Sequence, residues 1–153
     1  MKPISRSYLK KAIADKKVLI DTNIIIYLTD SVQPYKDLSR MLFELIEQGE
    51  IQAVFSIVSI AEVMQGPLRH GYKPNAMQVR DYLFNFPNAL SQEITFDVLS
   101  KVGSDDRVNW SKLRTSDALI IASGLLNDVD IFISNDQHFQ KAIPSELIIS
   151  FDK

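Results

Sequence analysis

Short apolar runs alternate along the chain with longer stretches in which apolar residues recur at helical spacing. Brief runs rich in Val, Ile and Phe are typical of strands buried inside a parallel sheet. They predict strands at residues 18–20, 53–56, 93–96, 131–134 and 147–151. Helical spacing predicts helices at residues 5–15, after Asp21, and at 35–48, 59–69, 73–86, 97–102 (resuming after Gly103 to about 110), 117–126 and 137–142. This alternation indicates an α/β fold with a mainly parallel sheet of about five strands.

The length of 153 residues fits one domain with a substantial core. Residues 1–17 mix apolar positions with lysines, and we expect them to form a helical extension that precedes the core. Residues 18–153 would then form the domain itself. The sequence has neither the charged start and apolar segment of a secretory signal nor an apolar run that could span a bilayer. We therefore expect a cytoplasmic protein without membrane contact.

The composition excludes several kinds of site. The chain has no cysteine, which rules out disulfides, zinc–thiolate sites and cysteine nucleophiles. Its two histidines are a poor basis for a histidine zinc site. The formal net charge is -2, so a nucleic-acid partner would need a local basic patch instead of a global positive field.

Four acidic residues stand out by their position: Asp21, Glu62, Asp117 and Asp136. Taken singly, each has a structural explanation that is commoner than catalysis. Asp21 and Asp136 are placed to cap the helices that follow the first and fourth predicted strands. Glu62 follows Ser59 by three residues, which is a capping-box pattern. Asp117 lies in the first turn of a helix, where the helix dipole favours an anion.

Together the four acids indicate a shared site. Asp21, Glu62 and Asp136 lie at or just past the carboxyl ends of predicted strands, and in a parallel sheet these ends share one edge. Asp117 begins the helix that leads into the fourth strand, so the start of that helix can face the same edge. Glu62 is surrounded in sequence by apolar residues, and burying a carboxylate without a partner is costly.

Converging carboxylates raise the pKa of some members and destabilise an empty site by mutual repulsion. A hard divalent cation relieves both effects, and with oxygen ligands alone the cation would be Mg²⁺ or Mn²⁺. Metal-assisted hydrolysis of a phosphodiester bond is the natural chemistry of such a site. Polar residues suited to orienting the carboxylates and their waters are Thr22, Asn23, Ser59, Ser134 and Asn135.

Four segments, in this order, resemble the motifs of PIN-domain nucleases. They are VLIDTN at 18–23, SIAEV at 59–63, TSDALIIA at 115–122 and ISNDQHF at 133–139. The resemblance covers about residues 18–151 and is greatest to the VapC-type toxins of bacterial toxin–antitoxin pairs. It implies a PIN-like three-layer α/β/α fold around the predicted sheet.

The resemblance also implies a Mg²⁺- or Mn²⁺-dependent endoribonuclease that hydrolyses RNA. The family's catalytic and metal-binding acids would be Asp21, Glu62, Asp117 and Asp136, and Thr22, Asn23 and Asn135 match its polar companions. It further implies a homodimer, and an antitoxin partner whose arm enters the acidic groove. Residues 1–17 precede the point at which compact toxins of this type usually begin.

Basic residues near the acids in sequence are candidates for RNA phosphate contacts: Arg69, Lys73, Arg107, Lys112 and Arg114. Solvated surface charge is the commoner explanation for any one of them.

Two other functions stay open. A non-catalytic RNA- or protein-binding module could use the same fold without a metal. A phosphotransfer protein fits less well. A haloacid-dehalogenase-like phosphatase has a second Asp two residues after its nucleophile, where this chain has Asn23. A response-regulator receiver has an acidic pair after its first strand, whereas Asp21 here follows Ile20.

Overall fold

A parallel sheet of five strands lies at the centre of the computed structural model, which describes residues 2–153. In chain order the elements are α1 (Arg6–Ile13), β1 (Lys17–Ile20), α2 (Thr22–Thr29), α3 (Lys36–Glu47), β2 (Gln52–Ser56), α4 (Ile57–Arg69), α5 (Lys73–Phe84), β3 (Ala89–Gln92), α6 (Phe96–Lys101), α7 (Thr115–Leu126), β4 (Ile131–Ile133), α8 (Gln137–Ala142) and β5 (Ile148–Ile149). The α/β class, the parallel sheet and its five strands, all predicted from the sequence, are confirmed.

The strand order is β3-β2-β1-β4-β5, so β1 is the central strand. Leu19 of β1 lies opposite Val54 of β2 on one side and Phe132 of β4 on the other. Every pairing is parallel. The carboxyl ends of β1, β2 and β4 therefore meet at one edge of the sheet.

Helices cover both faces of the sheet and make a three-layer α/β/α sandwich. Successive side chains of β1 point to opposite faces. Val18 and Ile20 pack into a core that includes α1, α2, α3 and α4, whereas Leu19 packs into a second core with α7 and α8. Helix α7 comes close to the sheet at Gly124, where an added Cβ would lie 2.6 Å from Cε1 of Phe132.

Helix α1 is part of the first core, which corrects our expectation that it precedes the core. Leu9 and Ile13 have no solvent exposure and belong to the same cluster as β1. The segment before α1 pairs with the end of the chain: Pro3 and Asp152 form an antiparallel bridge, and the Ile4 N–H donates to the Phe151 carbonyl at 2.8 Å. The division of the chain at residue 17 stays a prediction.

Two further sequence predictions are wrong. The third strand is Ala89–Gln92 and not residues 93–96, because Thr95 caps α6 by accepting a hydrogen bond from the Val98 N–H at 3.3 Å. The helix predicted to resume after Gly103 is also wrong, because the segment between α6 and α7 contains no α-helix and forms only a 3₁₀ turn, at Trp110–Lys112. None of the helices within residues 2–153 has the length and apolar character needed to cross a membrane.

Candidate active site

Asp21 lies at the carboxyl end of β1, at the central position of the sheet edge. It is 4% exposed and forms the N-cap of α2 by accepting a hydrogen bond from the Thr22 N–H at 2.7 Å. Its other carboxylate oxygen accepts a hydrogen bond of 2.6 Å from the Ser134 hydroxyl. The capping explanation is therefore correct for Asp21. Within residues 2–153 no lysine, arginine or histidine forms an ion pair with this buried carboxylate.

Burial is the main reason why the pKa of Asp21 is raised from 3.8 to about 7. The negative charges of Asp117 and Asp136 raise it further, which means that both carboxylates lie close enough to repel it. The hydrogen bonds from Ser134 and the Thr22 N–H act in the opposite direction and stabilise the carboxylate. Near neutral pH this group is divided between its acid and its carboxylate forms.

The turn after β4 joins the neighbouring strand to Asp21. The Ser134 hydroxyl, besides donating to Asp21, accepts a hydrogen bond from the Asp136 N–H at 3.0 Å. Asp136 caps α8 through the His138 N–H at 2.7 Å, as the sequence predicted. Its side chain is 25% exposed, so this carboxylate lies at the rim of the cluster.

Glu62 reaches the same edge from the second turn of α4. Its carboxylate accepts a hydrogen bond of 2.7 Å from the hydroxyl of Thr22, the residue that follows Asp21. The predicted capping box is wrong, because α4 begins at Ile57 and is capped by Ser56, whose hydroxyl accepts from the Val58 N–H. Glu62 therefore has no capping role, and its bond to Thr22 ties it to the Asp21 turn.

Asp117 lies in the first turn of α7 and is 4% exposed. The Arg114 guanidinium, from the N-cap position of the same helix, donates to it at 3.1 and 3.5 Å. The same guanidinium lies 3.6 Å from a carboxylate oxygen of Asp136. Among residues 2–153, Arg114 is the only lysine or arginine that forms an ion pair with any of the four acids.

The predicted polar companions divide into two groups. Thr22 and Ser134 contact the acids directly, and the Asn23 amide lies 3.5 Å from Asp21. The Asn23 side-chain oxygen accepts from the Asn135 N–H at 3.2 Å, which joins the turns after β1 and β4. Ser59 is buried, and its hydroxyl has no hydrogen-bond partner within residues 2–153, so it donates to none of the acids.

A second network, which the sequence did not reveal, holds Asn135. Its amide N–H groups donate to the Tyr27 hydroxyl at 3.1 Å and to Asp152 at 3.2 Å. Its oxygen accepts from the Ser150 hydroxyl at 2.7 Å and from the Phe151 N–H at 3.0 Å. The end of the chain therefore fixes the residue that precedes Asp136.

Of the basic candidates, only Arg114 lies in the acidic cluster. Arg69, Lys73 and Lys112 are exposed and pair with none of the four acids. Arg107 pairs with Asp105 at 2.9 Å and lines a depression beside Val129, which precedes β4. That position is at the amino-terminal end of β4, whereas the acids lie at the carboxyl ends of the strands. Arg107 therefore does not flank the acids as predicted.

The four acids offer only carboxylate oxygens, the donors that suit Mg²⁺ and Mn²⁺. The buried, partly protonated Asp21 next to two further carboxylates is a position that a divalent cation would stabilise. This donor chemistry fits a hard metal ion. Within residues 2–153 no group of three or more Asp, Glu or His side chains is arranged, as it stands, to hold one.

Solved structures with the same fold come from bacterial toxin–antitoxin systems. VapBC2 from Rickettsia felis, bound to a DNA fragment from its promoter, matches with a TM-score of 0.66 and 15% identity over 89% of this chain and 99% of that chain. DNA-bound VapBC from Salmonella typhimurium matches with a TM-score of 0.64 and 15% identity, over 89% of this chain and 98% of that chain. VapC20 from Mycobacterium tuberculosis, a Sarcin-Ricin loop cleaving toxin, matches with a TM-score of 0.61 and 12% identity, over 81% of this chain and 93% of that chain.

A search of curated protein sequences finds no match to the chain. The family model described as PIN domain matches residues 18–143, from the start of β1 to the end of α8, and so includes all four acids. Since that match covers most of the 153 residues, the chain belongs to the PIN domain family.

Proposed function

We propose that this protein is a Mg²⁺- or Mn²⁺-dependent endoribonuclease whose site consists of Asp21, Glu62, Asp117 and Asp136. One observation carries the proposal. The carboxylate of Asp21 is buried at the end of the central strand and repelled by Asp117 and Asp136. Glu62 is bound to the adjoining Thr22. Such a concentration of acids destabilises the fold, so its presence indicates a functional role.

In this proposal the four carboxylates hold the ion or ions. A bound divalent cation lowers the pKa of an attacking water and neutralises charge on the phosphate. The protein's own groups supply orientation. Ser134 and the Thr22 N–H fix the two oxygens of Asp21, and the Thr22 hydroxyl fixes Glu62. Asn135, held by Tyr27 and Asp152, fixes the turn that carries Asp136.

RNA is the proposed substrate, and an antitoxin the proposed partner. Family membership supports a nuclease, and the similar VapC20 is described as cleaving the Sarcin-Ricin loop. The matches to VapBC complexes support a toxin that pairs with an antitoxin. The homodimer implied by the family resemblance stays part of the proposal.

The test is cleavage of a mixed RNA pool by purified protein with Mn²⁺, with Mg²⁺ or with EDTA. We expect cleavage that requires the metal and that is abolished by Asp21→Asn. Asp97→Asn is the matched control, since Asp97 is an exposed carboxylate in the first turn of α6. Cleavage that persists in EDTA, or in Asp21→Asn with the metal present, would refute the proposal.

One observation favours the alternative, a non-catalytic RNA- or protein-binding module. Arg114 already supplies a cation to Asp117 and Asp136, so these two carboxylates are partly neutralised without a metal. Titration with Mn²⁺ separates the two functions. The nuclease binds the ion, and a module whose acids serve only as partners of Arg114 does not.

A further inference from the structure

The position of Arg114 suggests a role other than RNA contact. Its guanidinium lies 3.1 Å from one oxygen of Asp117 and 3.6 Å from an oxygen of Asp136. Its pKa is raised first by the bond to Asp117 and also by the nearby charges of Asp136 and Glu62. One cation thus lies against two of the four acids that would hold a metal.

The two ends of this ion pair differ in their exposure. The Arg114 side chain is 66% exposed, whereas that of Asp117 is 5% exposed. Arg114 can therefore turn into water once another cation takes its place on Asp117, because water hydrates an exposed guanidinium. Asp117 cannot follow it, and removing its cation without a replacement destabilises the buried carboxylate. The ion pair is therefore kept in the metal-free protein and is open to exchange with a second cation.

We propose that Arg114 is an exchangeable counter-ion that occupies the acidic cluster when no metal is bound and that a divalent ion displaces. Asp117 and Asp136, which face the guanidinium, are also two of the four carboxylates proposed to hold the ion, so the two cations would compete for them. Arg114 stabilises the metal-free protein and weakens its affinity for the metal. This inference rests on the proposed metal-dependent function.

The first measurement is the dissociation constant for Mn²⁺ by isothermal titration calorimetry, for the wild-type chain and for Arg114→Gln. Gln keeps a polar side chain of moderate length and removes the competing charge. We expect Arg114→Gln to bind Mn²⁺ about five- to tenfold more tightly, a modest factor because the arginine is largely exposed. Arg80→Gln is the matched control, since Arg80 pairs with Asp81 on the exposed side of α5, and its affinity should equal that of the wild type.

The second measurement is the melting temperature of the same three proteins in EDTA and in saturating Mn²⁺. In EDTA, Arg114→Gln should melt below the wild type, because Asp117 has lost its only cation. Saturating Mn²⁺ should narrow this difference, since the ion stabilises the variant more than the wild type. A purely structural arginine would give the same loss in both conditions.

The outcomes separate this inference from the proposed function. The counter-ion role is overturned if Arg114→Gln binds Mn²⁺ as tightly as the wild type or more weakly. It is also overturned if the difference in melting temperature between the two proteins is the same in EDTA and in Mn²⁺. Either result leaves the nuclease proposal intact. Absence of Mn²⁺ binding by all three proteins overturns the metal-dependent function, and the counter-ion role with it.

Discussion

Replacing Asp21 by Asn should stabilise the metal-free protein, and by more at pH 8 than at pH 5. Burial, followed by the charges of Asp117 and Asp136, raises the pKa of Asp21 from 3.8 to about 7. Between these two values the folded protein keeps a proton that the unfolded chain has released. Stability therefore falls as the pH rises through this range and levels off above pH 7. Asn carries no titrating proton and escapes this loss.

The magnitude follows from the two pKa values. Between pH 5 and pH 8 the wild type loses about 3 kcal/mol of unfolding free energy through Asp21 alone. The variant avoids this loss. It gives up the hydrogen bond that the Ser134 hydroxyl donates to Asp21, which costs about 1 kcal/mol of unfolding free energy at both pH values. The full pKa shift corresponds to about 4 kcal/mol, so the variant is the more stable protein at pH 8.

The assay is urea unfolding followed by circular dichroism in EDTA, at pH 5 and pH 8. All other residues are the same in both proteins, so the difference in free energy between variant and wild type reports on Asp21 and its interactions. We expect that difference to grow by about 3 kcal/mol in favour of the variant. Asp97→Asn is the control for removal of a carboxylate. A difference that is the same at both pH values, or a variant less stable than the wild type at pH 8, would refute the reasoning.

Three other substitutions test the fold and the support of the site. Leu9→Ala should lower the free energy of unfolding by about 2–4 kcal/mol, measured by urea denaturation, because Leu9 is fully buried; an unchanged midpoint would mean that α1 lies outside the core. Gly124→Ala should cost about 1–3 kcal/mol in the same assay, since the new methyl would overlap Phe132, and a neutral effect would contradict the close packing of α7. Asp152→Ala removes an acceptor of Asn135 and should slow metal-dependent RNA cleavage about tenfold, with a stability loss of about 1 kcal/mol. Unchanged cleavage would show that Asn135 needs no such support.

Much of the sheet could be predicted because its inner strands are short and almost entirely apolar. β1, β2 and β4 each follow this pattern, and their positions match the predictions to within one residue. β3 was missed because it lies at the sheet edge, where Ala89–Gln92 is only half-buried and mixes polar with apolar residues. The more β-branched residues that follow it, near Thr95, instead form the start of a helix.

The site could be predicted only as far as chain direction determines it. Parallel strands bring their carboxyl ends together, so Asp21 and Asp136 had to lie at one edge. The partners of these groups depend on side-chain directions that no local pattern contains. The hydrogen bond that the Asn135 amide donates to Asp152 is an example. The pairing of Arg114 with Asp117 could have been predicted from the sequence, since the two residues are three positions apart at the start of a helix. The contact of the same guanidinium with Asp136 could not, because it joins two separate elements.

The long separation between Asp21 and Ser134 has a consequence for synthesis on the ribosome. These residues bond directly, yet they are 113 positions apart, and β1 also pairs with β4 across that distance. At about 5–20 residues per second, Asp21 is made about 6–23 s before its partner strand. A growing chain therefore exposes an unpaired edge of its central strand during this interval. The acidic cluster, and any activity that depends on it, is completed only after β4 and the turn that carries Asp136 have been translated.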